Sequence, residues 1–281
     1  MKKTIIILTL LALIVGSCGQ TKKDEEVEEQ GAIEKTDDFV YVSDSIEINK
    51  SVTYCFNASI PVFDFITDKS LLASIYAPIF NSITDQSPES ISAPTQISMA
   101  DYSKNGLHKA LLELKERCFP NWVEDDDWDE DDSEYEQKYN YEDKFDMNVF
   151  WRNDNFLTVT YTVYNYTGGA HGNYSETYST FDLNNNTAVL LKNVIKNPEE
   201  KAWNRILKEC LLADVKYEDI EDMLLVDAIF PNDSFYFDNE GITFVYSPYE
   251  IAAYAAGVIY LRVPFKDIEE LLMPDFAKLV L

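Results

Sequence analysis

An α+β fold built on antiparallel sheets is what this sequence predicts, and three observations predict it. Stretches of period-two alternation are joined by short turns, as at Asp238-Asn239-Glu240-Gly241, so hairpins are expected. Stretches with apolar residues at helical spacing come in pairs rather than alternating singly with strands. Gly168-Gly169-Ala170-His171-Gly172 sets three glycines between two stretches rich in Tyr, Thr and Val, which marks a tight strand–turn–strand unit.

Taken in order, residues 39–65 alternate, as in Ser51-Val52-Thr53-Tyr54-Cys55-Phe56, and read as one or two strands. Ile60-Pro61-Val62 suits a strand end or edge. In 70–83, Leu71, Leu72, Ile75, Ile79 and Ile83 recur at helical spacing, with Pro78 as a point of interruption. Residues 87–94, rich in Ser and Pro, form a loop. A second helix over 99–118 puts Leu107, Ala110, Leu111, Leu114 and Cys118 on one face. A short strand is expected at 147–151. A long one at 156–166 turns Leu157, Val159, Tyr161 and Val163 to one side and Thr158, Thr160, Thr162 and Tyr164 to the other. After the glycine turn come a strand over 174–183, the turn Leu183-Asn184-Asn185-Asn186-Thr187, and a strand over 188–194. Helices are expected at 198–212, with Pro198 near its start, and at 217–230. The chain closes with a hairpin over 235–246, a helical turn at 248–255, a strand at 257–264 and a terminal helix at 265–272.

The first 17 residues read as an export signal. Lys2 and Lys3 precede an apolar run, 5–15, too short to span a bilayer, and Val15-Gly16-Ser17-Cys18 is a lipobox-like junction that makes Cys18 a lipidation site. Residues 18–38 follow as a disordered acidic tether. An N-terminal α+β subdomain is expected over 39–145, with an acidic loop at 124–136, and a C-terminal domain over 146–281, the two packed intimately. The expected location is the cell envelope, anchored to the outer membrane by lipid.

Charge narrows the function. The formal net charge is −27, and loss of Lys2 and Lys3 with the signal makes it two units more negative. Such a polyanion disfavours nucleic acid and anionic lipid surfaces and favours a cationic partner. Ten of the thirteen residues in 124–136 are Asp or Glu, too many to bury unpaired, so the run is read as a solvated loop. With Trp122 and Trp128 beside it, it offers a landing site for a cationic protein. Asp125, Asp127, Asp129 and Glu136 fit a calcium-loop spacing, but Glu130 stands where the turn needs glycine, so no metal is expected. Cys55, Cys118 and Cys210 remain once Cys18 is lipidated, which allows one bridge at most and shows no metal-ligand spacing.

His171 at the glycine turn is the one residue that raises the question of catalysis. A general base needs an orienting partner and a nucleophile or water in reach. Ser175, Glu176 and Asp182 are near in sequence and Glu250 is within reach of the fold, but no Gly-x-Ser-x-Gly elbow exists. The expectation is that the glycines make the turn and His171 hydrogen-bonds its own loop. The tyrosine-rich strand faces (Tyr161, Tyr164, Tyr166, Tyr174, Tyr178) suit cross-strand pairing first and sugar stacking second.

Three segments together resemble a known family: Tyr164-Asn165-Tyr166-Thr167-Gly168-Gly169-Ala170-His171-Gly172 running into Phe181-Asp182-Leu183 and a Leu190-Leu191-Lys192-Asn193-Val194 strand, then Phe237-Asp238-Asn239-Glu240-Gly241-Ile242-Thr243-Phe244, then Tyr246-Ser247-Pro248-Tyr249-Glu250-Ile251-Ala252-Ala253-Tyr254-Ala255-Ala256-Gly257. They look like the C-terminal ectodomain of the anti-sigma factor RsiV, a domain also found before the catalytic domain of PdaC-type peptidoglycan deacetylases. Residues 45–275 are covered, with a weaker likeness to the usual N-terminal companion domain. The resemblance implies an extracytoplasmic α+β fold that binds lysozyme in RsiV and accompanies wall chemistry in the deacetylases. The deacetylase's Thr-Phe-Asp-Asp-Gly motif is broken here, because Leu183 follows Thr180-Phe181-Asp182, and no His-x-x-x-His appears. The resulting expectation is a non-enzymatic envelope protein that binds lysozyme, another cationic protein or peptidoglycan. It has no cofactor and no catalytic residue, and Gly168, Gly169, His171, Tyr249, Glu250, Trp122 and Trp128 form the candidate ligand surface. The alternative is a glycan-acting enzyme or deacetylase accessory centred on the Gly-Gly-Ala-His-Gly tip.

Overall fold

The computed structural model describes residues 38–49, 52–81, 99–119, 139–217 and 219–281. Cys18, the tether up to residue 37, the loop 87–94, Trp122, Trp128 and the acidic loop 124–136 lie outside the described residues.

Val52, Tyr54, Phe56, Ala58 and Ile60 are buried at every second position of β2 (Val52–Pro61), the pattern of a strand with one face on a core. It pairs antiparallel with β1 (Phe39–Asn49) and parallel with β3 (Tyr139–Arg152). β4 (Phe156–Tyr166), β5 (Asn173–Asp182) and the two-residue β6 (Thr187–Ala188) extend the sheet antiparallel, in the order β1-β2-β3-β4-β5-β6. A parallel step needs a long crossover. The β2-to-β3 connection carries α1 (Lys69–Phe80) and α2 (Lys104–Cys118). Asp68 caps α1 by accepting from Leu71 N at 2.8 Å, and Ser103 caps α2 by accepting from Gly106 N at 3.3 Å. Both helices bury their apolar stripes against one face of the sheet, in a cluster that includes Leu71, Ile75, Leu107, Leu111, Phe145 and Val159. Two tyrosines stitch this layer: Tyr76 Oη donates to Pro61 O and Tyr161 Oη to Ile75 O, each at 2.7 Å.

A second antiparallel sheet runs β7 (Phe235–Phe237), β8 (Gly241–Tyr246), β9 (Ile259–Pro264). Central β8 is buried throughout. Between β6 and β7 come the single turn α3 (Leu191–Val194) and α4 (Lys201–Ala213), and α5 (Pro274–Val280) closes the chain. Trp203, Leu207 and Leu211 of α4 are fully buried in the second cluster, with Phe244, Leu261, Phe265 and Phe276.

Several elements depart from the sequence reading. The short strand expected at 147–151 is the end of the fourteen-residue β3, whose earlier half alternates buried Tyr141, Asp143 and Phe145 with half-buried Glu142, exposed Lys144 and half-buried Asp146. β3 therefore runs through the expected 145/146 boundary, and the two hydrophobic clusters divide later in the chain, mainly beyond Asp182. The strand expected at 188–194 is two residues long, because Leu191 and Val194 face the second core as one helical turn. The helix expected at 217–230 is only the 3-10 turns Val215–Tyr217 and Ile220–Met223; Asp219, between them, sits at φ 67°, which a continuous helix forbids. At the C-terminus, 265–272 forms two 3-10 turns, and the helix starts at Pro274, where a proline lacking its N–H does no harm.

Candidate functional site

β4 and β5 pair from Phe156↔Asp182 out to Asn165↔Asn173, and this long hairpin carries the glycine tip. Gly168 and Gly169 take φ +96° and +97°, a region that side-chain-bearing residues rarely adopt. Tyr166 Oη donates to Gly169 O at 2.9 Å and closes the loop. Gly172 is required for a different reason. A Cβ there would lie 2.5 Å from the Tyr164 ring, so the missing side chain lets that tyrosine lie under the tip.

His171 is exposed and fully engaged. Nδ1 contacts Gly172 O at 3.0 Å and Nε2 contacts Tyr249 Oη at 3.2 Å. The assignment that satisfies both places the proton on Nδ1 and lets Nε2 accept the phenol O–H. The imidazole stacks on the Tyr254 ring at 4.0 Å between centroids and 17° between planes. Tyr249 itself is strained, at φ +70°, and remains 53% exposed. The turn around it holds that conformation: Tyr249 N donates to Ala252 O, Glu250 N to Ser247 O, and Ser247 N to Glu250 Oε2, all within 3.0 Å. The other Glu250 oxygen accepts from Asn232 Nδ2 at 2.6 Å. The turn thus brings Tyr249 to His171, while Glu250 braces the turn from behind.

Next to the tip, on the same hairpin, Glu176 gathers hydroxyls from both sheets. Tyr174 donates to Oε2 and Tyr178 to Oε1, each at 2.8 Å, and Tyr260 of β9 also donates to Oε1. Ser247 Oγ accepts from Glu176 N at 3.1 Å and donates to Glu176 O at 3.2 Å. Burial, aided by the carboxylate, pushes the Tyr174 phenol up to about 12 and the Tyr178 and Tyr260 phenols higher still, so all three stay protonated donors. Two groups result, His171 with Tyr249 and Tyr254 at the tip and Glu176 with Tyr174 and Tyr260 at the seam, and Ser247 ties Glu176 to the turn that carries Tyr249. Tyr254, Tyr260 and Ser247 were not singled out from sequence, although Ser247 and Tyr254 belong to a segment that carried the family resemblance.

The exposed ring faces at the tip are of the kind that receive cations. Ser175 points to the opposite face of β5 from Glu176, and no carboxylate among the described residues bonds His171. Among the described residues no three His, Cys, Asp or Glu side chains cluster as metal ligands. His108 is an exposed residue of α2. Cys55, Cys118 and Cys210 are all free. Burial pushes the Cys118 and Cys210 thiols up, away from reactivity.

Residues 47–174 match the family profile described as Deacetylase PdaC, and residues 184–266 match that described as Protein of unknown function (DUF3298). No curated protein matches the chain. A DUF3298-family protein from Bacteroides fragilis has a similar structure at 23% identity and TM-score 0.55, over 86% of this chain and 94% of that one. A DUF3298-family protein from Pseudomonas aeruginosa matches at 16% identity and TM-score 0.53, over 86% and 98%. The chain is thus similar to PdaC over its first sheet and to DUF3298 over its second, and it has the fold of the DUF3298 structures.

Proposed function

We propose that this is a non-catalytic binding module of the cell envelope, tethered through lipidated Cys18, that captures a strongly cationic protein. Lysozyme is the ligand the family resemblance suggests. The observation that carries the reading is the state of His171: both ring nitrogens are taken by its own loop and by Tyr249, and its face is taken by Tyr254. The ring is oriented by a main-chain carbonyl and not by a carboxylate, and its Nε2 meets only a phenol, which supports reading the tip as a built surface. The net charge of −27 supports a cationic ligand, because opposite charge accelerates encounter. Exposed tyrosine faces suit arginine and lysine side chains.

Calorimetric titration of the chain with lysozyme at low and at moderate salt tests this. Binding at low salt that weakens as salt rises is expected, and absence of binding at low salt refutes the cationic-protein reading. The enzyme alternative is tested separately: any wall-degrading or deacetylating activity that survives His171→Ala excludes a catalytic tip.

A further inference from the structure

We propose that a groove beside α3, apart from the tip, binds a short peptide bearing free carboxylates. Two half-open hollows, about 420 and 660 Å³ in volume, share Leu191, Lys192 and Asp233 as lining. Each is within the roughly 300–1,000 Å³ of small-ligand sites. Their walls are more apolar than polar. Leu190 and Phe230, at 46% and 37% exposure, leave large apolar faces open there. β6 pairs only with Phe181 and Asp182 of β5, so the β5 edge at Tyr178 and Ser179 forms part of the first hollow, with Tyr178 N donating to Ser234 Oγ.

Charge selects the occupant. In a chain of net charge −27, this groove carries two ammonium groups. Lys196 Nζ is fixed by donating to Glu270 O at 2.6 Å. Lys192 lines both hollows and has no hydrogen bond or ion pair among the described residues. An unspent ammonium on an apolar wall receives an anion carried on an apolar body. Asp233 and Glu199 line the same groove and complement an amine. A zwitterionic peptide of a few residues with small apolar side chains uses all of these features. A free phosphate would leave the apolar walls empty, and a long acyl chain would leave the carboxylates unmatched. The inference stands independently of whether the tip captures a cationic protein.

The test is calorimetric titration of the full chain with the tetrapeptide L-Ala-γ-D-Glu-L-Lys-D-Ala, with the same peptide amidated at its carboxylates, and with decanoate. The free acid is expected to bind saturably. The amide, and the Lys192→Glu variant with the free acid, are expected to bind at least about tenfold more weakly, with recovery in Lys192→Arg. Lys266→Glu changes net charge equally outside the groove and is expected to bind like the wild type. Lys192 is exposed, so its variants fold, and a matching thermal melt verifies that. Equal affinity for acid and amide, an unaffected Lys192→Glu variant, binding of decanoate alone, or no binding at millimolar peptide overturns the proposal.

Discussion

Two carboxylates in this molecule are gripped by tyrosine hydroxyls, and they serve opposite ends. Asp143 of β3 lies on the core face of the first sheet, 9% exposed, where it accepts from Tyr54 Oη at 2.9 Å and Asn165 Nδ2 at 2.6 Å. Glu176 of β5 lies on the other face, at the seam of the two sheets, and takes three phenols while staying half open. Burial raises the Asp143 carboxyl above the ordinary carboxylate range, against the hydrogen bonds that lower it. The same chemistry therefore fixes a strand register in one place and presents a surface in the other. What separates them is which face of the sheet each residue occupies, and that is set by strand parity alone.

The comparison can be broken at its buried end first. Asp143→Ala strands the Tyr54 and Asn165 donors in the core and should cost about 3 kcal/mol in urea unfolding. Glu176→Ala removes one acceptor from three tyrosines at a partly wetted seam, and a smaller loss of about 2 kcal/mol is expected by the same measurement. If the two losses are reversed in size, the seam is the more structural of the pair.

A pH series sharpens the contrast. Because the folded-state pKa of Asp143 is raised, the folded protein holds this proton more tightly than the unfolded chain does. Its contribution is complete below the unfolded carboxylate pKa of about 3.9 and declines as pH rises through the folded value. Asp143→Asn keeps an acceptor for Tyr54 and escapes that decline. It should be more stable than the wild type near neutral pH, with the gap closing as pH falls towards 4. A gap independent of pH would show that Asp143 is not buried as an acid. The smallest stability effect belongs to the tip. His171→Ala should change unfolding free energy by under about 0.5 kcal/mol, because the ring is exposed, while weakening capture of the cationic ligand.

Much of this was legible in the sequence where one force dominates. The β4–β5 hairpin and the β7–β8 hairpin stand where alternation and turn glycines put them, with β7 at Phe235–Phe237 and β8 at Gly241–Tyr246. The expectation that His171 bonds its own loop matches its contact with Gly172 O. What failed was local propensity set against tertiary burial. Residues 217–230 have helical spacing, yet Tyr217, Ile220 and Ile229 are buried by separate turns around the second core, and Asp219 breaks the run. The site was legible only in part for a related reason. Tyr249 and His171 stand in motifs 78 residues apart, but no periodicity reveals that Tyr254 stacks on the imidazole or that Tyr260 reaches Glu176 across the seam.

Proposed for this protein is binding without catalysis, driven by charge. Stopped-flow association with lysozyme between about 10 and 300 mM salt tests it most directly. The association rate is expected to fall steeply with salt while the dissociation rate changes little. An association rate indifferent to salt, or no association at the lowest salt, would contradict it.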